Sequence, residues 1–177
     1  MTLARTILNK LNENDTVTKN MMFNKIEIAR KTGTLDLNGL NLTELPQEIF
    51  TLTNLQSLDI GGNKLTYLPD EIKNLKKLTI LFASNNKITK LNNGLFELIN
   101  LKEIELESNQ IRDLSSKISY LINLERLYLS DNRLTELPDE IGELQSLKLF
   151  SYDSTKIKYL PQKLRDIHGI KIYQDLL

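Results

Sequence analysis

Hydrophobic positions along this chain recur with a fixed period of 23 residues. One unit reads Leu55-x-x-Leu58-x-Ile60-x-x-Asn63-x-Leu65-x-x-Leu68-Pro69-x-x-Ile72-x-x-Leu75. The position that opens each unit holds Leu55, Leu78, Leu101, Leu124, Leu147 and then Ile170. A self-similar period of this length predicts a solenoid, in which each unit buries its apolar side against its neighbours.

Each unit begins with a predicted short strand. Leu58 and Ile60 flank Asp59, and this alternation places the two apolar side chains on the same, inward face. Asn63 follows where the chain turns away, and its amide can satisfy backbone groups of a buried turn. The same position predicts an asparagine ladder through the middle of the chain, formed by Asn63, Asn86, Asn109 and Asn132. In the end units this position holds Leu40 and Thr155.

A helical turn is expected after each strand. Proline followed by acidic residues suits the start of a helix, as at Pro69 with Asp70 and at Pro138 with Asp139. Two repeats depart from this pattern and carry Asn92 and Ser115 where the others have proline. We expect both side chains to cap the turn instead.

Residues 1–33 do not fit the repeat and are predicted to form an N-terminal helical cap. A short amphipathic helix is indicated by Leu3, Ile7, Leu8 and Leu11. A second helix follows Asp15, Thr16 or Thr18 as candidate N-caps and ends near Gly33; its inward face would hold Met22, Ile26 and Ala29. The alternative role of the first helix is docking on a partner. Residues 34–177 then form the repeat domain, with six repeats and a terminal strand packed as one unit.

The C-terminal end of the solenoid is predicted to be a strand at Ile170–Tyr173. An apolar terminal strand leaves an unpaired sheet edge, which can pair with another chain. Three interpretations remain: residues 174–177 fold over the edge, the edge self-associates, or the sequence is truncated.

The pattern LxxLxLxxNxLxxLPxxIxxLxx resembles that of leucine-rich repeat proteins of the 23-residue class. This class includes Ras-group and Scribble-like intracellular proteins and many bacterial ones, and the resemblance covers about residues 26–173. The lead-in at residues 28–37 is similar to the helix-to-strand entry of intracellular members. The resemblance implies an α/β solenoid with a curved parallel sheet on the concave face, short helices or 3₁₀ turns on the convex face, and protein binding on the concave face. It implies no catalytic residue and no cofactor.

The amino-acid composition argues against several classes of function. Lys plus Arg and Asp plus Glu both number 23, so the chain lacks the basic excess of a nucleic-acid-binding protein. The sequence has no cysteine, which excludes disulfides and thiolate catalysis. No apolar run resembles a signal peptide or a membrane span, and we therefore expect a cytoplasmic protein without a membrane or nucleic-acid partner.

The period also predicts three rows of side chains on the concave face. The first row precedes the central strand residue and consists of Thr34, Ser57, Ile80, Glu103, Arg126 and Leu149. The second row follows it and consists of Asp36, Asp59, Phe82, Glu105, Tyr128 and Ser151. The third row consists of Asn38, Gly61, Ser84, Glu107, Ser130 and Asp153.

Apolar side chains in these rows are the first candidate partner-binding residues. They are Ile80, Phe82, Tyr128 and Leu149, and with Arg126 among them they have the composition of a binding hot spot. The alternative interpretation is ordinary scattered surface hydrophobes.

Three glutamates on one strand face are the second candidate. Glu103, Glu105 and Glu107 repel one another, so folding does not require them, and they could receive a basic segment of a protein partner. The alternative is that Arg126 neutralises Glu103 or Glu105. Strand-spaced glutamates lack the loop geometry that calcium sites usually have.

The sequence gives little support for a phosphate-binding site or a catalytic centre. The rim residues Lys64, Lys87, Arg133 and Lys156 form a basic row, which is typical of a solvated face rather than of a phosphate site. The single histidine, His168, has no second histidine or cysteine with which to build a catalytic centre, and no phosphate-binding loop is present. We therefore expect a non-enzymatic adaptor, with two alternatives: a regulatory subunit of a small GTPase or phosphatase, and a self-associating structural protein.

Overall fold

A computed structural model describes residues 16–153 and 156–175 of the chain. The predicted helix around residues 3–11 lies outside the described residues, as do Asp15, Thr155 and the last two leucines. The side chains of residues 16–20, 153 and 175 lie outside them as well.

Seven parallel strands form one sheet in sequence order. The strands are β1 (Thr34–Asp36), β2 (Ser57–Asp59), β3 (Ile80–Phe82), β4 (Glu103–Glu105), β5 (Arg126–Tyr128), β6 (Leu149–Asp153) and β7 (Lys171–Asp175). Each strand pairs only with its sequence neighbours, and the order β1 to β7 is that of a solenoid. The predicted curved parallel sheet is confirmed.

Short 3₁₀ helices follow the first five strands. They are η1 (Gln47–Thr51), η2 (Asp70–Asn74), η3 (Asn93–Glu97), η4 (Ser116–Tyr120) and η5 (Asp139–Glu143). Proline precedes three of them, and its fixed φ leads the extended chain into the turn. The expected caps of the other two differ. The Ser115 hydroxyl accepts from the Lys117 amide at 3.3 Å, but Asn92 makes no side-chain cap, and the prediction for Asn92 is wrong.

A different contact holds the start of η3. Asp70 Oδ1, on η2, accepts from the Gly94 amide at 3.1 Å. An added Cβ at Gly94 would lie 2.3 Å from the Asp70 carbonyl oxygen, so the two turns approach more closely than a side chain permits. The neighbouring turn therefore supplies the capping oxygen for η3.

The N-terminal helix α1 (Thr16–Thr32) packs beside β1. Met22, Ile26 and Ala29 are fully buried, as their spacing predicts, and they continue the apolar core of the repeats. Gly33 has a φ of +72° and donates its amide to the Ala29 carbonyl at 2.9 Å, which ends the helix. The division of the chain at residue 33 stays a prediction.

The last strand departs from the period by one residue. Leu149 of β6 pairs with Lys171, 22 residues later, whereas Arg126 of β5 pairs with Leu149 at the usual 23. Gly169, with a φ of +74°, lies in the shortened turn before β7. A four-residue helix, α2 (Gln162–Arg165), precedes it. Phe150 and Tyr152 are buried in β6, and their rings stack with centroids 5.5 Å apart.

Candidate functional site

The strand register brings the first two predicted rows together across the concave face. In the first row Ile80 aligns with Glu103, Glu103 with Arg126 and Arg126 with Leu149. In each of β1 to β5 the central residue is buried, while its two neighbours are half-buried or exposed on the other face of the sheet. Lys171 of β7 extends the first row, and Tyr173 extends the second.

Aromatic rings flank a carboxylate in the second row. Phe82 of β3 aligns with Glu105 of β4, which aligns with Tyr128 of β5. All three side chains are half-buried. Neighbouring strands lie about 4.8 Å apart, so Phe82 and Tyr128 are the register neighbours of Glu105 on either side. The other apolar candidates, Ile80 and Leu149, lie in the first row and are also half-buried.

The two glutamates of β4 differ in their partners. Arg126 Nη2 donates to Glu103 Oε2 at 2.7 Å, and this hydrogen bond raises the pKa of the guanidinium. The Glu105 side chain has no hydrogen bond or ion pair with any residue that the structure describes. The arginine therefore neutralises Glu103, whereas no described residue compensates the charge of an ionised Glu105.

Burial raises the pKa of the Glu105 carboxyl, and the charges of Glu103, Glu107 and Asp59 raise it further. Burial is also the largest cause of the raised pKa of the Tyr128 hydroxyl. Both shifts indicate a site that is partly withdrawn from water and negatively charged.

The third row is more polar. Glu107 is half-buried just after β4. The buried hydroxyls of Ser130 and Ser151 hydrogen-bond each other. The Ser84 hydroxyl is buried without a hydrogen-bond partner among the described residues. The Asp153 side chain, the last of this row, lies outside them.

The asparagine ladder lies beneath this face. Asn86 Oδ1 accepts from the Leu65 amide at 3.0 Å, and its Nδ2 donates to the Ile60 and Ala83 carbonyls at 2.9 and 3.1 Å. Each amide thus joins the turn of its own repeat to the preceding one. The equivalent contacts are made by Asn63, Asn109 and Asn132.

A second set of ladder residues was missed in the sequence, and we call it the outer ladder. Asn54, Asn100 and Asn123 donate through Nδ2 to carbonyls 24 residues earlier, at 2.8 to 2.9 Å, and the Ser146 hydroxyl does the same at 2.8 Å. Their spacing in multiples of 23 was a usable signal, although Lys77 interrupts it.

The remaining candidates do not converge on a site. Lys64, Lys87 and Arg133 of the rim are exposed, and Lys156 Nζ donates to the Asn132 carbonyl at 2.6 Å. Within residues 16–153 and 156–175, no group of three or more metal-ligating side chains is found. No helix in this part of the chain is both long and apolar enough to cross a membrane.

Comparison with known proteins identifies the architecture. The chain matches the family model of the leucine-rich repeat region over residues 13–127, and a second leucine-rich repeat model over residues 99–157. No curated protein matches it significantly.

Solved structures with the same fold come from several organisms. A leucine-rich repeat protein of Leptospira interrogans is 32% identical with a TM-score of 0.63, and the match covers 79% of this chain and 42% of that protein. An internalin of Listeria monocytogenes is 28% identical with a TM-score of 0.66, over 81% of this chain and 40% of the internalin. A receptor kinase ectodomain of Arabidopsis thaliana, solved in complex with Casparian strip integrity factor 2, is 27% identical with a TM-score of 0.69, over 81% of this chain and 18% of the ectodomain.

The repeat register, the buried asparagines and these matches define the class of the protein. This chain belongs to the leucine-rich repeat family. It spans less than half the length of each relative described above.

Proposed function

We propose that this chain binds a protein partner on the concave face of its sheet, as an adaptor or scaffold. The observation that carries the proposal is the alignment of Phe82, Glu105 and Tyr128 on three adjacent strands of an exposed face. Burial of the inner core does not require aromatic rings there, because the central residues Leu81, Ile104 and Leu127 already fill it.

The composition of the surrounding surface supports the same conclusion. Large apolar and aromatic side chains beside an arginine are the residues that contribute most to protein–protein affinity. Ile80 and Leu149 extend the apolar surface to either side of the Glu103–Arg126 ion pair. A repeat solenoid presents its concave face as one extended surface, wide enough for a peptide segment or a folded domain. The Arabidopsis relative was solved with Casparian strip integrity factor 2, and a bound partner is thus compatible with this architecture.

The proposal is tested by capture from a source lysate, followed by affinity measurement with the purified partner. We expect the double variant Phe82→Ala and Tyr128→Ala to fold and to lose capture, with affinity reduced at least about tenfold. The matched control removes two aromatic rings that are exposed elsewhere, Tyr120 and Tyr159. Equal capture by both double variants would reject the concave face as the binding site.

The identity of the captured protein separates two forms of the proposal. A partner with GTPase or phosphatase activity that changes on binding would make this chain a regulatory subunit. A partner without such activity would make it an adaptor.

A second candidate function rests on the C-terminal edge of the sheet. Within the part of the chain that the structure describes, β7 pairs with β6 and with no other strand, and Tyr173 on it is 51% exposed. An unpaired edge strand can pair with a second copy. Light scattering over a dilution series tests this, and a monomer at the highest concentration would reject self-association.

A further inference from the structure

Among the acidic side chains of the concave face that the structure describes, Glu105 differs from the others in having no internal partner. Asp36 Oδ2 accepts from Lys25 Nζ at 3.3 Å, and Glu103 accepts from Arg126 at 2.7 Å. Asp59 Oδ1 accepts from the Gly61 amide at 2.8 Å and from Asn38 Nδ2 at 3.2 Å. For Glu105, the residues that the structure describes supply neither a cation nor a hydrogen-bond donor.

The position of Glu105 in the sheet makes its carboxylate accessible to a partner on the concave face. It lies on the central strand β4, with three strands on either side, and is half-buried. Burial and three neighbouring carboxylates raise the pKa of its carboxyl, so its ionised form is less favourable than that of a fully hydrated glutamate. A cation brought by a partner would find an acceptor that is neither bonded within the protein nor fully hydrated.

The flanking rings determine which cation fits. The backbones of Phe82 and Tyr128 lie about one strand spacing, roughly 4.8 Å, on either side of Glu105, so a positive charge bound to its carboxylate is flanked by both residues. Cation–π attraction operates within about 6 Å of a ring centroid, and an aromatic residue on either side of the bound charge favours a cation that can stack on a ring. A guanidinium is planar, stacks on aromatic faces and offers two parallel N–H donors to a carboxylate, whereas an ammonium offers a hydrated point charge.

We propose that the partner inserts an arginine side chain between Phe82 and Tyr128, with its guanidinium bound to the Glu105 carboxylate. This inference rests on the proposed function and specifies its partner as an arginine-bearing segment. The Glu103–Arg126 pair borders the site from the first row and leaves Glu105 as the acceptor.

The test uses two blocked peptides, acetyl-Leu-Ser-Arg-Ser-Leu-amide and the same peptide with citrulline in place of arginine. Citrulline keeps the length and planarity of arginine but carries no charge. Each peptide is titrated into isotopically labelled protein at low salt, and NMR follows the amide signals of residues 82, 105 and 128 together with the Glu105 side-chain carboxyl signal.

We expect the arginine peptide to shift these signals at a concentration about tenfold lower than the citrulline peptide, because a charge-assisted hydrogen bond is about twice as strong as a neutral one. Added NaCl should weaken the binding of the arginine peptide and leave the binding of the citrulline peptide unchanged. The variant Glu105→Gln should remove the difference between the peptides. The control Glu71→Gln, an exposed position on η2, should preserve it.

Each contrary result has a distinct meaning. Equal binding of the two peptides, lost in the Phe82→Ala and Tyr128→Ala variant, would overturn the arginine anchor and leave the concave-face function standing. Absence of any shift at residues 82, 105 and 128 would also overturn the anchor, and the capture experiment would then judge the proposed function independently. A shift of the Glu105 carboxyl signal with CaCl₂ alone, at matched ionic strength and without a peptide effect, would replace the arginine by a metal ion and overturn the anchor as well.

Discussion

Arg126 donates to the carboxylate of Glu103 across the β4–β5 strand pair at 2.7 Å, and it does not reach Glu105. The register explains this choice, because Arg126 aligns with Glu103 while Glu105 aligns with Tyr128. The Glu103 side chain is 13% exposed and the Arg126 side chain is 39% exposed, so this pair is more sheltered than a typical surface ion pair. One internal cation therefore compensates Glu103, while Glu105 has no ion pair with any residue that the structure describes.

A double-mutant cycle with Arg126→Gln and Glu103→Gln measures the strength of this pair. We expect a coupling free energy of about 0.5 to 1 kcal/mol from urea unfolding, at the upper end for surface pairs. A coupling near zero would mean that desolvation of the buried carboxylate cancels the attraction.

Glu105→Gln is expected to stabilise the free protein at neutral pH. The folded-state pKa of Glu105 is raised above its ordinary value of 4.5, so the folded state binds more protons than the unfolded state between these two values. The contribution of Glu105 to the free energy of unfolding is therefore most favourable below pH 4.5, and it becomes less favourable as the pH rises through the pKa of the folded state. We expect the glutamine variant to be more stable by about 0.5 kcal/mol at pH 7, and the difference to vanish in acid.

The control variant Glu125→Gln is expected to change the stability at pH 7 in the opposite direction. Lys148 Nζ lies 2.6 Å from Glu125 Oε2, and this hydrogen bond lowers the pKa of the Glu125 carboxyl. Its stabilisation is present above the unfolded pKa and is lost as the pH falls through the folded one. Glu125→Gln should therefore reduce stability at pH 7. If both variants change stability in the same direction, the uncompensated charge of Glu105 is not the cause.

Asn86→Ala is expected to destabilise the protein far more than Asn100→Ala. Removing Asn86 leaves the buried Leu65 amide without its acceptor and takes one of two side-chain donors from each of the Ile60 and Ala83 carbonyls, at a cost of about 2 to 3 kcal/mol. Asn100 belongs to the outer ladder, is exposed and makes one bond to the Lys76 carbonyl, so its loss should cost about 0.5 to 1 kcal/mol. Urea unfolding at pH 7 measures both, and equal losses would contradict the central role of the buried ladder.

Gly94→Ala is expected to cost about 2 to 3 kcal/mol, because the new Cβ would lie 2.3 Å from the Asp70 carbonyl oxygen and force η2 and η3 apart. The equivalent residue one repeat earlier, Glu71, is exposed, and Glu71→Ala should change stability by less than about 0.5 kcal/mol. Thermal unfolding of the two variants gives the comparison. A mild effect at Gly94 would show that the turns can separate without loss of packing.

Much of the fold could be predicted from sequence because a solenoid is built from local units. Leu58, Ile60 and Asn63 are buried where their spacing indicates, and the equivalent residues of the next three repeats are buried as well. The residues of the three concave rows followed from the same alternation, since the residues beside an inward side chain on a strand point outward.

Side-chain contacts between neighbouring repeats could not be predicted from the repeat pattern. The Gly94 amide donates to the Asp70 carboxylate in place of the cap that was expected from Asn92. The outer ladder was not predicted, because Lys77 breaks its period. Both depend on how closely two turns approach, and the sequence of one turn does not give that distance.

The sequence by itself determined the repeat architecture, the buried ladder positions and the side chains that share the concave face, because a fixed period makes equivalent positions repeat the same local environment. Only the tertiary structure decided that Arg126 binds Glu103 and that Glu105, aligned between Phe82 and Tyr128, has no ion pair with any described residue. It also decided that β7 pairs after 22 residues and not 23. The physical reason is the same in these cases: charge pairing and strand alignment depend on distances between repeats, which packing sets and which sequence spacing leaves undetermined.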